Sequence, residues 1–203
     1  KPKEIQKLLA KVEGSPEESM ISRLALRSMK QERYTTENTG HFGLAAKYYT
    51  HFTSPIRRYP DLQIHRIIKE NLRGKLTEER ILHYEKILPE VAAQCSTRER
   101  LAEETEREVV KMKKAEYMRG RIGEEYEGVI SGITKWGAYV ELPNTVEGLV
   151  HVADMKDDHY EYFEQQYELI GERTGRTYKL GQTVRVRVKD ADRILRTVNF
   201  EFV

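Results

Sequence analysis

One cysteine, one tryptophan and six aspartates in 203 residues set the first limits on this chain. A lone Cys95 forms no internal disulfide and matches no metal-ligand spacing, which points to a reducing compartment and excludes a structural zinc site. No apolar run approaches the roughly 20 residues that cross a bilayer, and no stretch has the form of a cleavable signal. A soluble, cytoplasmic chain with no membrane partner is therefore expected. The aspartates are thinly spread. Asp61, Asp190 and Asp192 stand apart, and Asp154, Asp157 and Asp158 share a stretch with Glu161, Glu164, Glu168 and Glu172 in which Lys156 is the one base. Nothing there pins carboxylates to a common point, so the stretch reads as a solvated acidic surface rather than a two-metal centre. The chain begins at Lys1 rather than methionine, as a piece or a processed product would.

What is present suffices for one ordinary domain or two small ones: 38% hydrophobic residues can bury a core, and 33% charged residues can cover it. The net charge of +2 conceals a division. Residues 1–122 carry +7 and residues 123–203 carry −5, so the first half suits a polyanionic partner. Up to about residue 120 the apolar spacing is helical. Ile5, Leu8, Leu9 and Val12 predict a first helix that Gly14 ends, and Ser15-Pro16-Glu17-Glu18 opens a second that passes Met20 and Leu24 to Met29. Tyr34–Gly40 reads as a polar loop. A further helix is predicted over Pro60–Arg73, another from Thr77, and a long solvated one from Pro89 to Arg119. After Gly120–Gly123 the pattern becomes short and β-rich: Tyr126–Ile130, Gly137–Leu142, Glu147–His151, Thr183–Val188 and Thr197–Phe202. Five such strands in about 80 residues indicate a small barrel, with a boundary near residue 122.

The densest cluster of chemistry-bearing residues is Tyr48–Asp61, continued by His65 and Arg66. Ser54-Pro55 is a helix-start signal that would set Arg57 and Arg58 in or just after a first turn, where guanidinium forks and free amides suit a phosphate and the tyrosines could stack on bases. The bland alternative pairs Arg58 with Asp61 three residues on and sends the tyrosines into the core. His65 shares a helical face with Asp61, a spacing open to acid–base work or to a structural hydrogen bond, and His41 suits a capping role. In the second half Lys135-Trp136-Gly137-Ala138-Tyr139 places two aromatics on opposite strand parities, so both cannot point inward. Beside Arg185 and Arg187, which alternate with Val184, Val186 and Val188, they would form a stacking platform in a cationic groove; barrel core is the competing reading.

Leu26-Arg27-Ser28-Met29-Lys30-Gln31, Gly40-His41-Phe42-Gly43-Leu44-Ala45 and His51-Phe52-Thr53-Ser54-Pro55-Ile56-Arg57-Arg58-Tyr59-Pro60-Asp61-Leu62 with His65-Arg66 resemble the end of the RNB catalytic domain in the bacterial ribonuclease R family. Gly128-Val129-Ile130, Trp136-Gly137-Ala138-Tyr139-Val140 and Glu147-Gly148-Leu149-Val150-His151-Val152 resemble the S-one-type OB-fold RNA-binding domain. The resemblance implies an α+β chain, with the mainly helical end of an RNB nuclease domain over residues 1–122 and a five-stranded antiparallel OB-fold barrel over residues 123–203. It implies a processive, magnesium-dependent exoribonuclease that shortens single-stranded RNA from its 3′ end to 5′-mononucleotides, in association with RNA-decay or ribosomal machinery. The family's metal-holding aspartates fall upstream of the residues present, so this chain alone is expected to bind no metal and to be inactive. Carried over by motif, Arg57 matches the arginine at the scissile phosphate, and Glu106 an acidic position near the 3′-terminal nucleotides. Arg58, Tyr59 and His51 belong to the same RNA-binding motif. Trp136, Tyr139 and His151, with Lys135, Arg185 and Arg187, match the barrel's RNA-binding face. The rival readings are a non-catalytic RNA-binding or translation-associated protein and a protein-docking scaffold.

Overall fold

A computed structural model of the chain describes residues 2–14, 21, 22, 25, 26, 28, 29 and 31–203, and divides it into two units, Lys1–Glu104 and Thr105–Val203. In the first unit, α1 (Pro2–Val12) is followed by Gly14 at φ +75°, the left-handed conformation that glycine adopts without strain beyond a helix end. The helix expected from Ser15 falls largely outside the described residues; Ile21, Ser22, Ala25, Leu26 and Ser28 have helical backbone.

Ser54-Pro55 does not open a helix as expected. It makes a single turn, with Ser54 O accepting from Arg57 N at 3.2 Å and Arg58 N at 2.9 Å. Arg58 is then extended (φ −114°, ψ 112°), and α2 (Tyr59–Leu72) starts beyond it. The reason is Pro60. A helix continuing from Ser54 would place the proline in its interior, where it lacks the N–H and clashes with the preceding turn, whereas a fresh start puts it harmlessly at the second helical position.

The third helix, α3 (Glu78–Arg119), runs for 42 residues. Thr77 caps it, its Oγ1 accepting from Arg80 N at 3.4 Å. Two helices were expected here, and the structure joins them: Pro89 removes one backbone donor without ending the run. The end of α2 is fastened to the start of α3 by Arg80, whose guanidinium donates twice to Glu70, at 3.1 and 2.9 Å, while the Tyr84 hydroxyl donates to the same carboxylate at 2.9 Å.

In the second unit, β1 (Glu125–Thr134), β2 (Gly137–Glu141), β3 (Glu147–His151), β7 (Thr183–Asp192) and β8 (Thr197–Phe202) close a barrel in the order β1-β2-β3-β8-β7. The all-antiparallel expectation is corrected. The sheet is mixed, because β3 and β8 pair in parallel, with Leu149 beside Asn199 and Val150 beside Phe200. Geometry requires this: directions cannot alternate all the way round a closed ring of five strands, so one neighbouring pair must run the same way.

The acidic stretch is also more ordered than expected. After a 3-10 turn (Val152–Asp154) it contains β4 (Tyr160–Phe163) and β5 (Glu168–Gly171), which form a separate antiparallel sheet with β6 (Thr177–Lys179). Its aspartates are occupied. Asp158 accepts from the Thr174 hydroxyl at 2.6 Å and from the Thr174, Arg173 and His159 amides, which hold its carboxyl far below the usual range. Asp157 accepts from the Tyr160 hydroxyl and pairs with Arg176, and Asp154 pairs with Lys189.

Strand alternation sends Ile130, Val140, Val150, Val186, Val188 and Phe200 inward, and Ala115 and Met118 of α3 complete the same core. Gly148 lies against the Phe200 ring, where an added Cβ would come within 2.5 Å of it. Gly148→Ala is expected to destabilise the barrel by about 1–3 kcal/mol through overpacking, seen as a lowered midpoint in thermal unfolding followed by far-ultraviolet circular dichroism. An unchanged midpoint would show that the Phe200 side of the core yields freely.

Candidate nucleic-acid interface

In the first unit the two adjacent arginines separate in role. Arg58 donates to Asp61 Oδ2 through Nε at 3.2 Å and Nη2 at 2.8 Å, and only 17% of its side chain is exposed. The bland reading of the sequence therefore holds for Arg58. Arg57 is exposed and has no side-chain partner among the described residues. Asp61 is fully buried. Burial alone would raise its carboxyl, but the Ser54 amide, donating to Oδ2 at 2.8 Å, and the Arg58 guanidinium outweigh that and hold it below the ordinary aspartate range.

Around this pair is a polar network that no sequence spacing announces. The Tyr34 hydroxyl donates to Glu99 Oε1 at 3.1 Å and lies 3.1 Å from His51 Nδ1. A hydroxyl carries one proton, so with Glu99 as its acceptor Nδ1–H of His51 is the donor in the second bond. The Tyr34 amide donates to Ser96 Oγ at 2.9 Å. Burial, then the neighbouring Glu99 carboxylate, push the Tyr34 phenol above its ordinary range. Tyr34, Ser96 and Glu99 come from a loop and a helix more than 60 residues apart, which is why sequence reading missed them.

His65 is not paired with Asp61. Its Nε2 donates to Phe52 O at 2.8 Å and its ring stacks on Phe52 at 4.2 Å, a structural arrangement. No helix follows His41; its Nδ1 accepts from Leu44 N at 3.1 Å inside a turn that the His41–Ala46 bridge closes. The tyrosines are not core: Tyr48, Tyr49 and Tyr59 are exposed, with Lys47 over the Tyr48 ring at 5.4 Å and Arg66 over Tyr59 at 6.0 Å.

In the second unit Trp136 is 57% exposed at the β1–β2 turn, and Lys135 Nζ lies 4.9 Å from its ring centroid. Ala138 and Val140 take the inward positions of β2, leaving Tyr139 half-buried on the outer face opposite Leu149. His151 pairs in register with Gly137 on the neighbouring strand. Its Nδ1 accepts from Ala153 N at 3.1 Å, so the neutral ring carries its proton on Nε2 as a remaining donor. Trp136, Tyr139 and His151 thus belong to one two-stranded edge of the barrel. Arg185 and Arg187 also face outward, but carboxylates meet both: Glu125 bridges them at 3.0 and 2.7 Å, and Glu201 takes a second Arg187 nitrogen at 3.0 Å. Glu106 is exposed on α3 without a partner among the described residues.

The described residues do not fit a magnesium pair. No three histidine, cysteine, aspartate or glutamate side chains gather to hold an ion among them, and Asp61, Asp157 and Asp158 already accept from amides, hydroxyls and guanidinium groups. No described helix is long and apolar enough to cross a membrane.

Comparison with known proteins follows the same division. Residues 1–74 match the RNB domain model, and residues 120–201 match the S1 RNA binding domain model. Ribonuclease R 1 of Lactococcus lactis is 50% identical over 201 residues, 99% of this chain and 25% of that protein. Ribonuclease R of Thermotoga maritima is 47% identical over 205 residues, covering all of this chain and 29% of that protein. The chain therefore spans between a quarter and three-tenths of the length of these curated relatives. Among solved structures, Mycoplasma genitalium RNase R in complex with ribose methylated single-stranded RNA superposes with a TM-score of 0.90 at 26% identity, covering 96% of this chain and 31% of that one.

Trp136 is the chain's one tryptophan, so its fluorescence reports on the barrel edge alone. In the free protein the emission is expected to be that of a solvated indole, strongly quenched by iodide. A blue-shifted emission that iodide does not reach would mean that this edge is covered.

Proposed function

Since the chain belongs to the ribonuclease R family, we propose that it supplies RNA-gripping parts of a 3′-to-5′ exoribonuclease that hydrolyses single-stranded RNA to 5′-mononucleotides. The observation that carries this reading is the division of labour at Arg57 and Arg58: one guanidinium is neutralised inside the fold, and its neighbour is presented uncompensated from a fixed turn. A binding module with no reaction to serve gains little from so defined a presentation of a single cation.

In this reading Arg57 grips the phosphate at which the chain is cut and offsets the charge that develops there during hydrolysis. Glu106 contacts the terminal nucleotides as an acceptor. At the barrel edge Trp136 and Tyr139 stack on bases, Lys135 meets the backbone, and His151 donates from Nε2. Arg185 and Arg187 lie on β7, between β1 and β8 rather than on the β2–β3 strands, and, matched by carboxylates, they add little net charge. A magnesium pair would supply the activated water for hydrolysis, and the described residues of this chain would not be the ones to hold it. The exposed rings paired with cations, Tyr48 with Lys47, Tyr59 with Arg66 and Trp136 with Lys135, support an unpaired strand over a duplex, because only unstacked bases offer their faces. The cytoplasm, where such RNA is turned over, is the compartment this reading implies.

Three results test it. The chain binds single-stranded RNA with affinity that falls steeply as salt rises, and Trp136→Ala weakens binding by about 1–3 kcal/mol; binding indifferent to salt and to Trp136 contradicts the reading. Magnesium and labelled RNA added to the pure chain give no shortening on a denaturing gel, and robust 3′ trimming would reveal a metal site within it. In the full-length protein, Arg57→Lys lowers turnover roughly 100-fold or more while largely preserving RNA affinity, since the charge remains but the two-pronged grip is lost. Equal loss of both would favour a simple RNA binder.

A further inference from the structure

Asp61 does more than neutralise Arg58. Its Oδ2 atom takes three donors, the Ser54 amide at 2.8 Å and the Arg58 Nε and Nη2 at 3.2 and 2.8 Å. Ser54 is thereby held at both ends, because its carbonyl in turn accepts from the Arg57 and Arg58 amides. The residues from Ser54 to Arg58 form a closed loop of hydrogen bonds with the Asp61 carboxylate as its one side-chain acceptor, and Arg57 is the charged member whose side chain leaves that loop for solvent, beside the fully exposed Ile56. Its other oxygen, Oδ1, is buried without a partner among the described residues. Leaving a buried carboxylate oxygen unsatisfied is costly, so packing alone does not favour an aspartate at this position.

We propose that Asp61 is a positioning residue: its carboxylate fixes the Ser54–Arg58 turn so that Arg57 alone is presented to an RNA phosphate, and Arg58 serves as the internal counter-ion rather than as a second phosphate ligand. This rests on the assignment of Arg57 to phosphate made above. Asn at position 61 keeps the shape but not the charge; it leaves the Arg58 guanidinium uncompensated and brings an amide N–H₂ where one carboxylate oxygen stood. The turn then loses its anchor, and the Arg57 guanidinium is no longer held in one place.

The test is a double-mutant cycle in this chain with a fluorescein-labelled oligoadenylate of about 20 nucleotides, long enough for a single-strand site, with affinity measured across a salt series. Arg57→Ala is expected to weaken binding several-fold and to reduce the slope of log affinity against log salt by about 0.7, one phosphate contact on a single strand. Asp61→Asn is expected to do the same although it removes a negative charge, and Arg57→Ala added to Asp61→Asn is expected to change affinity less than twofold. If Asp61→Asn strengthens binding, Arg58 has become a phosphate ligand and the proposal fails. If Arg57→Ala costs the same in both backgrounds, Asp61 does not position Arg57 and the proposal fails while the assignment of Arg57 stands. If Arg57→Ala has no effect in the parent chain, the assignment itself fails and takes the proposal with it. Circular dichroism checks that each variant is folded. Should Asp61→Asn not fold, Asp61→Glu, which keeps the charge but shifts the carboxylate by one methylene, replaces it, with the same loss of the Arg57 effect expected.

Discussion

One carboxylate oxygen, Oδ2 of Asp61, governs how the first unit displays its charge. It takes the Ser54 amide and both nitrogens that Arg58 offers, and with that a pair of arginines adjacent in sequence becomes a buried ion pair beside an exposed cation. Phosphate recognition by guanidinium depends on a fixed fork aimed at two oxygens, and an arginine on a wandering loop provides charge without aim. Pro60 contributes by refusing a continuous helix, which forces the break in which Arg58 is extended and Arg57 stands clear of the first turn of α2. The Tyr34–His51–Glu99 network supports the same region from the side of α3.

The barrel solves a different problem by related means. Its core consumes the alternating valines, Ile130 and Phe200, so the opposite parity of each strand is left to solvent, and at the β2–β3 edge that parity carries Tyr139 and His151. The parallel pairing of β3 with β8 is a consequence of ring closure with an odd number of strands. Much of the outward charge is spent internally: Arg185 and Arg187 are held by Glu125 and Glu201, and Asp154, Asp157 and Asp158 by Lys189, Arg176 and Thr174. Lys135, over the exposed Trp136 ring, meets no carboxylate among the described residues, an arrangement suited to stacking on bases while drawing in the backbone between them.

Local rules read much of this correctly. Periodicity anticipated α1, α2 within one residue at each end (Pro60–Arg73 against Tyr59–Leu72) and the five barrel strands, and the i+3 spacing raised the Arg58–Asp61 pair as one of two readings. Rules of short range failed where the partner was distant or where two of them competed. Ser54-Pro55 has the form of a helix start, but Pro60 overrides it six residues later. Pro89 has the form of a boundary, yet α3 continues through it. The stretch around Asp158 looked like free acid because Arg173, Thr174 and Arg176, which engage it, follow roughly 15 to 20 residues on. Glu99 and Ser96 could not be joined to Tyr34 without the fold. The assignment of individual residues to RNA came from motif resemblance, since exposure and ion pairing, which separate Arg57 from Arg58, belong to tertiary structure.

One arginine of the pair is proposed to meet RNA while the other stays inside. A crystal structure of this chain with a bound oligoribonucleotide measures it most directly. Both Arg57 guanidinium prongs are expected within hydrogen-bond distance of one phosphate, with Arg58 still on Asp61 Oδ2. A structure in which Arg58 has left Asp61 to hold the phosphate, or in which the RNA passes the first unit without touching Arg57, would contradict it.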